Sequence, residues 1–160
     1  MNPTPLSLPA APRLKFAFEM HVTVVPALEV GNVPAGRRRI IPILGGTFEG
    51  PEIRGRVLPG GADWQIIRDD GVGDLDTRYT LETDRSEIIY VQNRGLRHAS
   101  PENVERLLAG LPVDPAEVYF RTTPVFETAA PALQWMTRSV FVGDAERKPS
   151  DVIVRFWMVE

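Results

Sequence analysis

The sequence predicts an all-β domain: a closed up-and-down antiparallel β-barrel of about eight to ten strands with one short helix near one end. Three observations lead there. Residues 14–24 carry apolar side chains at every second position, the period of a long strand with one apolar face. Short runs of strand-forming residues follow, separated by turns that contain Gly or Pro. Only one segment has the period and end signals of a helix, and it comes late in the chain. A meander of this many strands has two sticky edges, and closing the first strand onto the last removes both. A two-sheet sandwich is the competing architecture.

In chain order, residues 1–13 are rich in Pro and Ala and read as a loose N-terminal arm ahead of one barrel domain over residues 14–160. Leu14, Phe16, Phe18, Met20, Val22 and Val24 form the first stripe, with Glu19 and His21 on the opposite face. Either face could point inward on this pattern alone. Pro26 ends the strand, residues 31–36 read as a turn, and residues 37–44 read as a second strand with Pro42 at an edge or bulge. Gly45 and Gly46 suit a barrel corner. Residues 47–49 and 53–58 are short extended pieces, after which Pro59, Gly60 and Gly61 turn the chain into a strand over 62–68. An acidic loop over 69–76 leads to a hairpin of residues 78–83 and 87–93. Ser100 and Pro101 then open a helix whose Val104, Leu107 and Leu108 share a face before Gly110 stops it. So short a helix cannot organise a core and is expected across an open end. Strands over 118–126, 133–142 and 152–159 complete the wall, the last two joined by a polar loop over 143–151.

Composition narrows the function. At 160 residues, with 43% hydrophobic and 24% charged residues, the chain fits one globular domain with a substantial core. It has no cysteine, which excludes disulfides and thiolate zinc sites and fits a reducing, cytoplasmic location. The start, MNPTPLSLPAAPR, lacks a basic region followed by an apolar run, so no signal peptide is expected. Nowhere do about 18 apolar residues run together, so no membrane span is expected. A net charge of −3 with both signs interspersed gives no footprint for nucleic acid. Arg37, Arg38 and Arg39 read as a solvated strand edge. With two histidines and no cysteine, no metal site is expected, and the acidic loop lacks the closing Glu of a calcium loop. There is no GxSxG elbow, phosphate-binding loop or dinucleotide fingerprint, so no cofactor is expected either.

The motifs IIPILGGTFEGP, RGRVLPGGADWQ, YVQNRGLR and YFRTTPVFET, in that order, resemble the bacterial and fungal family called domain of unknown function 3237, also catalogued as uncharacterised protein family 0311. The resemblance runs from Phe16 to the C-terminus. It implies a single-domain closed barrel, commonly a homodimer, with no agreed activity or cofactor. It carries over Gly45, Gly46, Thr47, Glu49, Gly60, Gly61, Asp63, Trp64, Asn93, Arg97 and Arg121 as motif residues. Leu44 departs from the pattern, where Thr is usual.

Residues 47–65 crowd Glu49, Arg54, Asp63, Trp64 and Gln65 between two glycine-rich turns, and the chain is expected to be arranged around this stretch. Glu49 and Asp63 are candidate general acids or bases, because burial in a barrel raises a carboxyl pKa toward neutrality. Arg121 lies within a strand, and an arginine turned into a barrel must find an anion or acceptors. Glu49, Asp63 and Arg121 are therefore the candidate catalytic residues. Thr47, Trp64, Tyr79, Tyr90, Asn93, Arg97, His98, Phe120 and Trp135 are the candidate ligand-binding residues: aromatics to clamp an apolar body, polar groups to fix its orientation. The favoured function is binding of a small, partly apolar, anionic or carbonyl-bearing molecule. The alternatives are a cofactor-free isomerase or cyclase using a carboxylate and an arginine, and a structural dimerisation module without ligand.

Overall fold

The computed structural model describes residues 8–160, so the arm expected over residues 1–13 lies largely outside the described residues. The arm's last residue, Arg13, exchanges both backbone hydrogen bonds with Glu160. From Phe18 onward the apolar stripe of β1 (Leu14–Val24) is the core face, with Glu19 and His21 outside. The stripe does not extend to its N-terminal end. An irregularity in register between Phe16 and Phe18 turns Ala17 inward and leaves Leu14 and Phe16 56% and 41% exposed.

β2 (Leu28–Val33) occupies part of what the sequence suggests is only a turn, and β3 (Gly36–Glu49) is one unbroken strand of 14 residues. β1 and β2 pair along the same edge of β3, from Glu19↔Glu49 to Val24↔Ile43 and then from Leu28↔Ile40 to Val33↔Gly36. They are two collinear pieces of one wall, interrupted at Pro26. On the other edge of β3 the same thing happens: β4 (Arg54–Val57) and β5 (Ala62–Ile67) are collinear and broken over residues 58–61. Gly45 falls at the break between β4 and β5, and Gly46 beside it pairs with both Val22 and Val57, with φ of 151° and 150°. A Cβ on Gly46 would overlap the His21 carbonyl oxygen, so the closure of β3 onto β1 requires glycine there.

The remaining wall is β6 (Gly73–Thr83), β7 (Ile88–His98), β8 (Tyr119–Glu127), β9 (Phe141–Arg147) and β10 (Asp151–Val159). Around the barrel the order is β1, β10, β9, β8, β7, β6, the broken pair β4 and β5, then β3, which returns to β1. The result is a closed eight-stranded antiparallel barrel, with the first strand against the last as expected. The β6–β7 hairpin turns on Thr83, whose Oγ1 accepts from the Arg85 and Glu87 amides and donates to Glu87 Oε2.

Two short helices close the ends. α1 (Pro101–Leu108) starts at Ser100, whose hydroxyl accepts from the Asn103 amide, and it buries Leu107 at the upper end, between β7 and β8. The strand expected over 133–142 is instead a 3-10 turn at Pro131–Leu133, one turn of helix α2 (Gln134–Thr137), and then β9. Leu133 and Met136 are three apart, so a strand would send them to opposite faces; the helical turn buries both in the core cluster that also holds Phe141 at the lower end. The expected polar loop shrinks accordingly, because residues 143–147 belong to β9 and Asp151 opens β10. No helix among the described residues is long and apolar enough to cross a membrane.

Candidate functional site

The barrel interior has two unlike halves. In the lower half the rings of Phe18, Phe48, Phe126, Phe141 and Phe156 pack edge to face or tilted, with centroids 5.0–5.8 Å apart. In the upper half lies a cavity of about 60 Å³ with two kinds of wall. Met20 and Val22 of β1, Ile41 and Ile43 of β3 and Val152 and Val154 of β10 form an apolar side. Asp63 and Gln65 of β5, Thr77 and Tyr79 of β6, Asn93 and Arg97 of β7 and Thr122 of β8 form a polar side, with Arg147 of β9 at its margin.

Strand alternation places this set. Asp63 and Gln65 share the inward parity of Ile67, Tyr79 that of Leu75 and Leu81, Asn93 and Arg97 that of Ile89 and Val91, and Thr122 that of Phe120 and Phe126. Gln65 is the hinge of the hydrogen bonding. Its Nε2 donates to Asp63 Oδ2 at 2.6 Å, and its Oε1 accepts from Arg97 Nη2 at 3.5 Å. That leaves Asp63 Oδ1 shut off from solvent with no hydrogen-bond partner among the described residues. Tyr79 OH, Asn93 Oδ1, Thr122 Oγ1 and Arg147 Nη1 are in the same condition, and all five line the one cavity. Tyr79, Asn93 and Thr122 are only 4%, 4% and 5% exposed. A buried polar atom without a partner costs about 1–3 kcal/mol, so five converging on one void mark a place built for something polar.

The electrostatics are cationic. Burial pulls the Arg97 guanidinium down to about 10, against the countercharge of Asp63, and Arg39 and Arg147 depress it further. Burial likewise lowers Arg147. Burial pushes the Asp63 carboxyl up, opposed by Gln65, the Thr77 hydroxyl and Arg97. Burial also raises the Tyr79 phenol, which therefore stays protonated. Above this layer Arg39 is buried too, unlike the solvated edge expected of residues 37–39. It follows the inward parity of Ile41 and Ile43, donates from Nε to Glu29 Oε1 at 2.7 Å, and from Nη2 to the Leu108 carbonyl at the end of α1 at 3.2 Å.

Of the residues singled out in the sequence, the cavity gathers Asp63, Tyr79, Asn93, Arg97 and Phe120. The others stand elsewhere, so the convergence expected of Glu49, Asp63 and Arg121 does not form. Thr47 and Glu49 alternate outward on β3, opposite His21 and Glu19. Trp64 points out between Asp63 and Gln65, and Tyr90 turns outward between Ile89 and Val91. His98 and Arg121 lie on the outer surface, His98 stacked on Tyr119 at 4.7 Å and the Arg121 guanidinium 5.5 Å from the same ring. Trp135 packs on Phe141 at the opposite end of the barrel. Arg54 and Arg56 pair outside with Asp84 and Glu82, and neither meets Asp63. The sequence reading passed over Thr77, Thr122 and Arg147. Thr122 was legible from its parity with Phe120, whereas Arg147 was hidden by its assignment to a loop.

Comparison with known proteins agrees with the fold. The family model described as protein of unknown function (DUF3237) matches residues 12–159. A UPF0311 protein of Rhodopseudomonas palustris is 43% identical over 140 residues, spanning 88% of this chain and 92% of that protein. A crystal structure of a conserved protein of unknown function from the same organism superposes with a TM-score of 0.90 at 39% identity, covering 95% of this chain and all of the other. A β-barrel like protein from Acinetobacter baumannii gives 0.83 at 42% identity, over 97% of this chain and all of that one. An enzyme from Penicillium herquei gives 0.72 at 21% identity over 96% and 98%, a likeness of fold alone. With nearly its whole length matched, the chain belongs to the DUF3237 family of proteins of unknown function.

Proposed function

We propose that this protein is a small-molecule-binding barrel whose ligand is partly apolar and anionic or carbonyl-bearing, and occupies the upper cavity. One observation carries the reading: five buried polar atoms without partners line a single void whose opposite wall is apolar. A ligand with oxygen functions along one edge and hydrocarbon along the other complements both walls at once. The cationic excess of Arg97 and Arg147 over Asp63 favours negative charge on the oxygen edge. The homodimer and the cytoplasmic location expected from the sequence belong to the same proposal.

A second reading, a cofactor-free isomerase or cyclase, draws on Asp63. Its raised pKa and unpartnered Oδ1 suit proton transfer, with Arg97 or Arg147 steadying the oxyanion that develops as the proton leaves the substrate. The proton taken from one substrate atom returns to another, so the step needs no co-reactant. The first experiment is a thermal-shift screen of the wild type against hydroxy-aromatic acids, lactones and enones, repeated on Tyr79→Phe. Stabilisation of the wild type that shrinks in the variant supports binding. Turnover of a stabilising compound, lost in Asp63→Asn while folding persists, promotes the enzyme. If nothing stabilises the protein and a crystal structure shows only waters satisfying the five atoms, the dimerisation module without ligand takes their place.

A further inference from the structure

We propose that the upper cavity is built for a hydroxycarboxylate of three or four carbons, its carboxylate on Arg97 and Arg147 and its hydroxyl on Asn93. The inference rests on the binding reading above and adds three restrictions to it: size, charge and hydrogen-bond polarity.

Size comes from the void. One water fills on the order of 10–15 Å³, so about 60 Å³ has room for about four to six waters, and, because bonded atoms sit closer together than waters do, for a molecule of roughly six or seven non-hydrogen atoms without moving the wall. An aromatic acid exceeds that. The wall is not one that yields easily, because the floor beneath it is the interlocked ring cluster around Phe18 and Phe126.

Charge comes from the two guanidinium groups. Arg97 is buried with one long hydrogen bond, to Gln65, and Arg147 keeps Nη1 buried and unpartnered. Asp63 influences both, with its Oδ2 already held by Gln65, and Asp151 acts on Arg147 alone, which leaves Arg97 with Asp63 as its one opposing charge. A ligand carboxylate supplies the missing negative charge and two acceptor oxygens, the pairing that guanidinium geometry favours.

Polarity comes from Asn93. Its unpartnered atom is the amide oxygen, an acceptor only, so it demands a donor from the ligand. A carboxylate has none; a hydroxyl has one. Tyr79 OH and Thr122 Oγ1 each donate or accept, and so serve either oxygen function. The alkyl remainder, a methyl or ethyl group, then faces Met20 and Val154 on the apolar wall.

The probes are lactate (both enantiomers) and 3-hydroxybutyrate, with propionate, lactamide and 4-hydroxybenzoate as controls, titrated calorimetrically into the full chain at pH 7 and low salt. At least one hydroxycarboxylate is expected to bind. Propionate, which lacks the hydroxyl, and lactamide, which lacks the charge, are each expected to bind about tenfold or more weakly, the loss of one charge-assisted or buried hydrogen bond. Arg147→Gln should weaken the hydroxycarboxylate by a similar factor. Asn93→Leu should erase the preference for lactate over propionate; should it fail to fold, Asn93→Asp, which adds a like charge facing the ligand, should abolish binding instead. Equal binding of propionate and lactate overturns the hydroxyl assignment, and equal binding of lactamide overturns the charge assignment. If 4-hydroxybenzoate binds and none of the short acids does, the size argument fails while the binding barrel stands. If no acid binds and the wider screen is also empty, both fall together.

Discussion

The lower and upper halves of this barrel are made by the same eight strands, yet they are built on opposite terms. Below, the inward positions are filled by aromatic or aliphatic groups, except for Thr83 at the hairpin, whose hydroxyl is fully engaged there, and the end is plugged by Leu133 and Met136. Above, the same strands turn Asp63, Gln65, Asn93, Arg97 and Thr122 inward and leave five polar atoms without partners. A half that buries unmet hydrogen-bonding groups is less stable than one that packs hydrocarbon, so the lower half must hold the wall in shape for both. The difference teaches where to look for function: the stable half is a scaffold, and the half that gives up stability is the one with a purpose beyond folding.

The largest effect that can test this contrast is in the lower half. Phe18 is fully buried and touches the rings of Phe48, Phe126 and Phe156. Phe18→Ala should cost about 3–5 kcal/mol, a drop of roughly 10 °C or more in Tm for a domain of this size. A loss below about 1 kcal/mol in chemical denaturation would mean that the ring cluster is not what holds the barrel.

A smaller effect of opposite sign is expected above. Because burial raises the Asp63 pKa from its ordinary 3.8, the folded chain holds that proton more tightly than the unfolded chain does. The group's contribution to stability is therefore full below pH 3.8 and is lost as pH rises through the folded value. Asp63→Asn removes that loss, so the variant should gain steadily on the wild type as pH rises above about 4. Tm measured across the range in paired buffers reads it directly. A pH-independent difference, or a variant that loses ground on the wild type as pH rises, would contradict a buried, poorly satisfied carboxyl.

Much of the scaffold was readable from period and turn chemistry, and much of the site was not. The stripe from Phe18 to Val24 marked the first strand but not which of its faces points inward, and Ser100 with Pro101 marked α1 correctly. The same period misled at Leu14 and Phe16, because the irregularity at Ala17 reverses parity and no single-strand pattern announces it. Residues 133–142 read as strand since their apolar content is high, and tertiary plugging of the lower end overrode that preference. For the site, strand parity is decisive. Residues 47–65 concentrate chemistry-bearing side chains, but alternation sends Glu49, Arg54 and Trp64 out and only Asp63 and Gln65 in. Composition attracts the eye to a stretch; the period of two decides which of its members meet.

The smallest predicted effect sharpens the contrast from outside. Glu49 and Arg121 are both exposed on the outer surface, Glu49 across from Glu19 and Arg121 against the Tyr119 ring, separated from the cavity by the wall itself. Exposed charges of this kind contribute little to stability, so Glu49→Gln and Arg121→Ala should each leave it within about 0.5 kcal/mol. They should also leave the affinity of any upper-cavity ligand unchanged within about twofold, since neither contributes an atom to the void and both lie where water and salt screen their fields. A strong loss of binding in either would move the ligand to the outer surface, onto the shelf where Arg121, Tyr119 and Trp157 border a shallow groove. In that case the five unpartnered atoms would need water as their occupant. Paired titrations of Arg121→Ala and Arg97→Ala with the same ligand therefore decide between the two sides of one strand wall: the inner arginine should matter and the outer one should not.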